Sequence, residues 1–418
     1  MNTSKTFIAS FTPKPFSMIA KPIGAVCNLN CTYCYYLEKK NLYSETKNFK
    51  MSDEVLEEFT RQFIQSQALE EINFVWQGGE PLLLGIVFYE KALFFQNKYA
   101  GNKTITNSIQ TNGTLLNEEW CKFLNCNNFL TGISIDGTEK IHNHFRITND
   151  GSPTFHKVLH GINLLKKYKV EFNTLLTVNA YNVDFPLEIY HFLKSIDSHF
   201  IQFIPVVERI VNDSENEAIK LTNSSLPENA RVTEWSVNAE KYGKFLIKIF
   251  NEWVVNDVGE FFVQLFDSTL ATYLGLPSGI CMFQPECGQA GAIEFNGDVY
   301  SCDHFVFPQN FLGNIFTKNL NDLMNSVSQQ IFGQNKFLTL PQKCKNCNFL
   351  KQCFGECPKK RFLFAENGEY GLNYLCEAYK MFFSHTASVM RFMANELVNR
   401  RAPQNVMYWA RNNGNREA

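Results

Sequence analysis

The sequence predicts a partial, open (β/α)6 barrel followed by a cysteine-rich C-terminal domain. Extended apolar runs and helical runs alternate six times over the first half of the chain, and strands separated by helices form parallel sheets. The candidate functional residues of this half each follow a strand, as in closed barrels, but six units are fewer than the eight that closure needs. The second domain is marked by eight of the 13 cysteines, which lie between Cys281 and Cys376.

The barrel elements follow one another from residue 18 onward. The first helix is the best defined, because Ser52 can cap its N-terminus and apolar residues recur behind it at helical spacing. These apolar residues are Val55, Leu56, Phe59, Phe63 and Ile64. The strands are predicted at 18–23, 72–77, 104–110, 129–135, 170–178 and 200–204, and the later helices at 88–99, 117–126, 154–168 and 184–196.

The second half of the chain changes character. Residues 206–232 are polar and are predicted to form a long loop, and two apolar helices are predicted at 234–255 and 261–274. Residues 292–302 are typical of a β-hairpin that turns at Asn-Gly, and 377–418 of a helix with a basic, polar tail. We therefore expect four parts: a barrel (1–235), a helical bridge (236–280), a cysteine-rich domain (281–376) and a C-terminal helix with its tail (377–418).

Composition excludes several classes of function. A net charge of −2 argues against a nucleic-acid binder, because phosphate contacts need a clustered cationic face. No apolar run is long enough for a membrane span, and residues 1–16 are polar and contain Pro13 and Pro15, unlike a signal peptide. We therefore expect a cytoplasmic protein without a membrane partner. In a reducing cytosol its cysteines are better explained as metal ligands than as disulfides.

The most informative stretch holds Cys27, Cys31 and Cys34, in the spacing C-x3-C-x2-C. Three thiolates can hold three irons of a [4Fe–4S] cluster and leave the fourth iron without a protein ligand. A structural metal site normally completes its coordination, whereas a catalytic one keeps a position open. The spacing therefore favours a catalytic cluster, and the alternatives are a zinc knuckle or an incidental group of thiols.

This stretch resembles the signature of the radical S-adenosylmethionine (radical SAM) enzymes, CxxxCxxC with an aromatic residue before the last cysteine, here Tyr33. Those enzymes have a partial, TIM-like barrel. Gly78-Gly79-Glu80-Pro81 resembles their GGEP motif, which meets the amino group of S-adenosylmethionine. Glycines let the backbone approach a ligand closely, although Gly-Gly-x-Pro alone is only a turn signal.

Three further positions are carried over from the same resemblance. It implies that Ser134 and Arg146 hold the carboxylate and ribose of S-adenosylmethionine, and a guanidinium suits a carboxylate. It also implies that Val207 packs against the adenine. An exposed arginine is usually only solvated, which is the alternative for Arg146.

The eight C-terminal cysteines fit two four-cysteine clusters, although C-x2-C pairs serve zinc equally well. The tail resembles the SPASM extension, which carries two auxiliary [4Fe–4S] clusters. The resemblance implies that the first set of ligands is Cys281, Cys287, Cys302 and Cys357, and that the second is Cys344, Cys347, Cys353 and Cys376. Cys121 and Cys126 match no ligand position and are expected in the core.

Over nearly its whole length the chain is similar to the anaerobic sulfatase-maturating enzymes. The matching segments are 21–29, 35–39, 77–81, 202–205 and 302–305. The resemblance implies that Asp303 is the catalytic base, and the alternative is that Asp303 only orients the neighbouring ligand Cys302. The implied cofactors are three [4Fe–4S] clusters and S-adenosylmethionine.

The activity implied is oxidation of a cysteine or serine in an unfolded sulfatase segment, Cys/Ser-x-Pro-x-Arg, to Cα-formylglycine. A radical formed from S-adenosylmethionine would take a hydrogen from Cβ, Asp303 would remove the thiol or hydroxyl proton, and the second electron would leave through the auxiliary clusters. A protein such as flavodoxin or ferredoxin would supply electrons. One alternative is a SPASM enzyme that modifies another peptide, although no leader-binding domain is evident. The other is an iron–sulfur electron carrier, which would need every cluster fully ligated.

Overall fold

The computed structural model of the chain describes residues 14–212, 219–221 and 230–413. Its main sheet contains all six predicted strands, each parallel to its neighbour, in the order β6-β5-β4-β3-β2-β1. Their bounds are β1 Ser17–Lys21, β2 Glu71–Trp76, β3 Thr104–Thr111, β4 Phe129–Ser134, β5 Phe172–Val178 and β6 Phe200–Pro205. The sheet does not close on itself. The predicted open barrel is therefore confirmed.

The barrel helices lie between these strands. They are α1 Asp53–Ser66, α2 Ile86–Tyr99, α3 Glu118–Cys126, the short α4 Glu139–His142, α5 Phe155–Lys167 and α6 Pro186–Ser195. Ser52 caps α1 as predicted, because its hydroxyl accepts a hydrogen bond from the Val55 N–H at 3.2 Å. All five apolar residues predicted for the inner side of α1 are buried. Phe63 packs against Phe74 of β2 with ring centroids 5.0 Å apart, so α1 covers the sheet through aromatic contacts.

The stretch predicted to be one long loop contains three short strands. They are β7 Arg209–Asn212, β8 Ile219–Leu221 and β9 Arg231–Val232, and they form a small antiparallel sheet. Residues 213–218 and 222–229 of that prediction lie outside the described residues. Short β-branched runs such as Ile210-Val211 form the strands. Because polar residues flank these runs, they are too short to give a recognisable strand pattern in the sequence.

Two strands that the sequence did not assign to the barrel extend its sheet. Helix α7, Ala239–Asn256, leads to β10, Phe262–Val263, which pairs in parallel with β6 and is followed by α8, Gln264–Tyr273. The start of the predicted helix 261–274 is therefore a strand. At the other edge, β11, Ala290–Glu294, runs parallel to β1, with Glu294 opposite Lys21.

The hairpin predicted at 292–302 is formed by β11 and β12, Asp298–Tyr300. Strand β12 returns antiparallel to β11, and β13, Phe311–Asn314, completes the edge. The turn contains Asn296 and Gly297, whose φ of 87° favours glycine. The cysteine-rich half of the chain is thus joined to the barrel through one continuous sheet.

The remaining elements are α9 Leu320–Met324, α10 Val327–Leu338, α11 Gln342–Lys345, α12 Leu350–Cys353, the hairpin β14 Arg361–Phe364 with β15 Tyr370–Asn373, α13 Cys376–Val398 and α14 Asn405–Asn413. The single helix predicted over 377–418 is two helices. The break contains Arg400, with a φ of 57°, and Pro403. A positive φ ends the first helix, and proline is suited to begin the next. None of the helices in the described ranges is both long and apolar enough to cross a membrane.

Candidate active site

The three cysteines predicted to hold the catalytic cluster lie in the loop after β1. The Cys34 N–H donates to the Cys31 carbonyl at 3.0 Å, and the Leu29 N–H donates to the Cys27 Sγ at 3.4 Å. Burial raises the pKa of Cys27 to about 11 and that of Cys31 to about 12, and repulsion from the thiolate of Cys34 contributes to both shifts. The three thiols therefore lie near one another. A bound iron would displace their protons, because metal ligation requires the thiolate. This donor set fits a [4Fe–4S] cluster.

The GGEP segment lies directly against that loop. The Gly79 N–H donates to the Gly24 carbonyl at 2.8 Å, and the Glu80 N–H donates to the Val26 carbonyl at 2.9 Å. A Cβ atom on Gly79 would lie 1.9 Å from the Val26 oxygen, so no larger residue fits there. Gly78 has a φ of 141°, which also favours glycine. The two glycines allow the backbone approach that the motif predicted.

The Glu80 carboxylate faces the protein. It is fully buried and accepts hydrogen bonds from the Leu82 N–H at 3.0 Å, the Thr111 hydroxyl at 2.7 Å and the Asn112 N–H at 2.8 Å. Burial raises the pKa of Glu80 to about 7. The carboxylate therefore holds the GGEP segment to the end of β3.

A polar network around Asn112 was missed by the sequence analysis. The Asn112 amide donates to the Asn28 Oδ1 at 2.9 Å and to the Cys27 Sγ at 3.8 Å, and the Asn28 amide donates to the Thr114 hydroxyl at 2.9 Å. These contacts tie the cysteine loop to the loop after β3. The signal available in the sequence was the Thr111-Asn112-Gly113 turn directly after a strand.

Tyr33 and Arg146, both predicted to be near the cofactor, meet at Asp136, which was not predicted. The Tyr33 hydroxyl donates to the Asp136 Oδ2, and the Arg146 Nε lies 2.9 Å from the same oxygen. The Thr177 N–H donates to the Asp136 Oδ1 at 3.1 Å. Burial lowers the pKa of Arg146, but the Asp136 carboxylate together with Tyr33 and Cys31 outweighs it and leaves the pKa above its ordinary value. The guanidinium is thus a buried, fixed cation.

The other two predicted cofactor residues lie at the ends of β4 and β6, the strands on either side of β5. The Ser134 hydroxyl, at the end of β4, accepts a hydrogen bond from the Gln110 amide at 3.1 Å. Val207 follows β6 and is buried. Asp136 is two residues beyond Ser134, so its position after a strand was the signal that could have identified it.

Asp303, predicted to be the base, is held by two donors. The Tyr35 hydroxyl donates to the Asp303 Oδ2 at 2.7 Å, and the Lys21 ammonium forms an ion pair with the Oδ1. Burial raises the pKa of Asp303, but the positive charge of Lys21 and the hydrogen bonds outweigh it, so the pKa lies below its ordinary value. Asp303 is therefore ionised near neutral pH and can accept a proton.

A second buried carboxylate, Glu294, lies beside this pair and was also missed. The Tyr36 hydroxyl donates to the Glu294 Oε1, and burial raises the pKa of Glu294 to about 7. Lys21 and Tyr36 lie in segments that matched the family, but their pairing with Asp303 and Glu294 depends on how β11 joins β1.

The structure brings the eight C-terminal cysteines together in two groups. Burial is the main cause of the raised pKa values of Cys287, Cys302, Cys344, Cys353 and Cys357, and repulsion from neighbouring thiolates adds to it. In the first group Cys302 interacts with Cys281 and Cys357, and Cys287 interacts with the same two thiols. In the second, Cys376 interacts with Cys344, Cys347 and Cys353.

These two groups have the same members as the interleaved sets that the resemblance implied. The second group lines a cavity of about 280 Å3. Four thiols in each group fit a [4Fe–4S] cluster. The His304 Nδ1 lies 3.9 Å from the Cys357 Sγ. Of the two cysteines that were predicted not to be metal ligands, Cys121 is buried as predicted, but Cys126 is exposed at the end of α3.

Two protein families match the chain. Residues 22–193 match the radical SAM superfamily, and residues 281–348 match an iron–sulfur cluster-binding domain, SPASM. The first match covers the three-cysteine loop and most of the barrel. The second begins at the first cysteine of the C-terminal groups.

Among curated proteins, the chain is 51% identical to the serine-type anaerobic sulfatase-maturating enzyme of Bacteroides thetaiotaomicron, over 94% of this chain and 95% of that one. It is 34% identical to the cysteine-type anaerobic sulfatase-maturating enzyme of Clostridium perfringens strain 13, over 92% of this chain and 99% of that one. A solved structure described as native anSMEcpe with bound AdoMet and Cp18Cys peptide superimposes with a TM-score of 0.80 and 33% identity, over 92% of this chain and 100% of that one.

Proposed function

Because the chain belongs to the family of anaerobic sulfatase-maturating enzymes, which are radical SAM enzymes with a SPASM domain, we propose that it oxidises a serine or cysteine in a sulfatase Cys/Ser-x-Pro-x-Arg segment to Cα-formylglycine. One contact carries this proposal. Tyr35, the residue after the cluster ligand Cys34, donates a hydrogen bond to Asp303, the residue after Cys302. A proton acceptor thus lies between the loop of the catalytic cluster and a loop of the auxiliary domain.

The residues of the site have distinct proposed roles. A [4Fe–4S] cluster on Cys27, Cys31 and Cys34, with S-adenosylmethionine, supplies a carbon radical that can remove hydrogen from an unactivated C–H bond. The backbone at Gly78 and Gly79 receives the amino group of the cofactor, and Ser134 and Arg146 receive its carboxylate and ribose. Val207 would lie against the adenine of the cofactor, and Tyr33 and Asp136 fix the guanidinium of Arg146.

Asp303 removes the proton from the substrate hydroxyl or thiol. A serine becomes an aldehyde by losing a hydrogen atom from Cβ, the hydroxyl proton and one further electron. The negative charge of Asp303 suits its proposed role as the proton acceptor. Its burial excludes water that would compete for the substrate proton. The auxiliary cysteine groups are proposed to hold the two clusters that receive the electron, with Cys302 beside the base.

Serine is the first substrate residue to test. The serine-type relative from Bacteroides thetaiotaomicron shares 51% of its aligned residues with this chain, against 34% for the cysteine-type relative. The proposed partners are an unfolded sulfatase segment and a small electron-transfer protein such as flavodoxin or ferredoxin. The reaction is proposed to take place in the cytoplasm, where the sulfatase segment is still unfolded.

The test is a mass spectrum of three peptides after anaerobic incubation with the iron-loaded protein, S-adenosylmethionine and a reductant. The peptides differ only in Ser, Cys or Ala at the first position of the x-Pro-x-Arg motif. We expect the serine peptide to lose two hydrogens, with formation of 5′-deoxyadenosine, and the alanine peptide to stay unchanged. If 5′-deoxyadenosine formed while all three peptides stayed unchanged, the enzyme would act on another peptide. If neither product formed, the electron-carrier alternative would be favoured.

A further inference from the structure

The ammonium of Lys21 lies at the end of β1, and the residue is only 1% exposed. It forms an ion pair with the Asp303 Oδ1, donates to the Gln77 Oε1 at 3.1 Å and lies 4.3 Å from the centroid of the Tyr36 ring. We propose that Lys21 is the positioning residue for Asp303, and that it holds the carboxylate where it meets the substrate hydroxyl. This inference rests on the proposed role of Asp303 as the base.

The two oxygens of Asp303 have different donors. Lys21 binds the Oδ1 and Tyr35 binds the Oδ2, so the carboxylate is fixed from both sides. An ionised carboxylate has about four lone-pair sites, so these two contacts leave lone pairs that could accept a hydrogen bond from a substrate hydroxyl. Without Lys21, Asp303 would keep only one neutral donor and could rotate about its side chain. A displacement of about 1 Å is enough to reduce catalysis roughly 100-fold.

The same contacts explain why the Lys21 ammonium forms its ion pair with Asp303 and not with Glu294. Glu294 is opposite Lys21 in the pairing of β11 with β1, and its carboxylate is equally buried. The Tyr36 hydroxyl binds the Glu294 Oε1, while the Tyr36 ring lies against the Lys21 ammonium. Tyr36 thus satisfies the competing carboxylate with a neutral donor. The ammonium is left to Asp303.

A second Lys–Asp–Tyr group elsewhere in the barrel provides a matched control. The Lys194 ammonium donates to the Asp257 Oδ1 at 2.5 Å, and the Tyr190 hydroxyl donates to the Asp257 Oδ2 at 2.8 Å. Asp257 is buried and lies just after α7, away from the cysteine loops. Loss of Lys194 therefore removes a similar ion pair without touching the site.

The experiment compares Lys21→Met, Lys194→Met and Asp303→Asn with the native enzyme, each with its iron content and thermal midpoint measured. The readout is the amount of formylglycine formed per 5′-deoxyadenosine in the serine peptide. We expect the Lys21→Met enzyme to bind the peptide normally in the absence of reductant and to keep cofactor cleavage. The formylglycine formed per 5′-deoxyadenosine should fall about 100-fold. Lys21→Arg, which keeps the charge, should recover part of it. Lys194→Met should lower only the thermal midpoint.

The outcomes separate the two proposals. If Asp303→Asn keeps the native ratio, Asp303 is not the base and the proposed function fails at that residue. If Asp303→Asn lowers the ratio but Lys21→Met does not, only the role of Lys21 is wrong. If Lys21→Met loses cofactor cleavage and product together, or if neither Lys21→Met nor Lys21→Gln folds with its iron, Lys21 supports the fold or the cluster and the inference is overturned.

Discussion

Replacement of Gly79 by alanine tests the close approach of the GGEP segment to the cysteine loop. The new Cβ would lie 1.9 Å from the Val26 carbonyl oxygen, well inside contact distance, so one backbone segment must move away from the other. That movement breaks the hydrogen bonds of the Gly79 and Glu80 N–H groups, which join the two segments. Two hydrogen bonds are worth about 1 kcal/mol each, and overpacking costs about 1–3 kcal/mol more.

The total is therefore about 3–5 kcal/mol, and it falls on the segment proposed to bind the amino group of S-adenosylmethionine. Each 1.4 kcal/mol is a factor of about ten in affinity, so we expect binding more than 100-fold weaker. The assay is a titration of S-adenosylmethionine into the iron-loaded protein without reductant. It is followed by the change in the spectrum of the cluster.

Gly85→Ala is the matched control. Gly85 is six positions further along and has a φ of 77°, but a Cβ there would meet nothing within 4 Å. It should lose about 1 kcal/mol of folding stability from backbone strain and bind S-adenosylmethionine normally. If Gly79→Ala bound S-adenosylmethionine within about threefold of the native affinity, the argument from close approach would be refuted.

Three further predictions follow from the site. Asp303→Asn should abolish formylglycine in the peptide assay while some cofactor cleavage persists, and full turnover would remove Asp303 from the mechanism. Cys376→Ser should lower the iron content by about one [4Fe–4S] cluster, whereas Cys126→Ser should leave the iron content unchanged. Equal iron contents in the two variants would contradict the assignment of Cys376 as a ligand. Burial raises the pKa of Glu294 to about 7, so its contribution to stability is complete below pH 4.5 and is lost as pH rises through 7. Glu294→Gln should therefore reduce the fall in thermal midpoint between about pH 4.5 and 7, and an unchanged slope would show that Glu294 does not titrate there.

The sequence predicted the barrel well because its evidence is local. The α1 helix carries its own cap at Ser52 and its own apolar side, and the strands and helices of the barrel alternate along the chain. The position directly after β2 also pointed to Gly79, whereas Arg146 came only from the family resemblance. Spacing and motif order are enough for such features, because neighbours in the chain remain neighbours in the fold.

The missed features depend on contacts between distant parts of the chain. Strand β10 has only two residues, too few for periodicity to detect, and becomes a strand because β6 offers it an edge. The GGEP motif did not indicate that the Glu80 carboxylate would accept a hydrogen bond from the loop after β3. The ion pair between Lys21 and Asp303 joins residues far apart in sequence, and single-sequence patterns carry no information about that pairing.

The pairing of β11 with β1 also bears on how this protein could be divided or recombined. A fragment that ended before β11 would leave β1 as a bare edge strand whose N–H and C=O groups could recruit another chain. Such a truncated barrel is expected to aggregate even if its own core is complete. A chimaera that exchanges the cysteine-rich half between relatives must therefore carry β11, β12 and β13 along with the cysteines. In this molecule the strand that shields this edge of the barrel from self-association is supplied by the part of the chain that also holds the proposed base, Asp303.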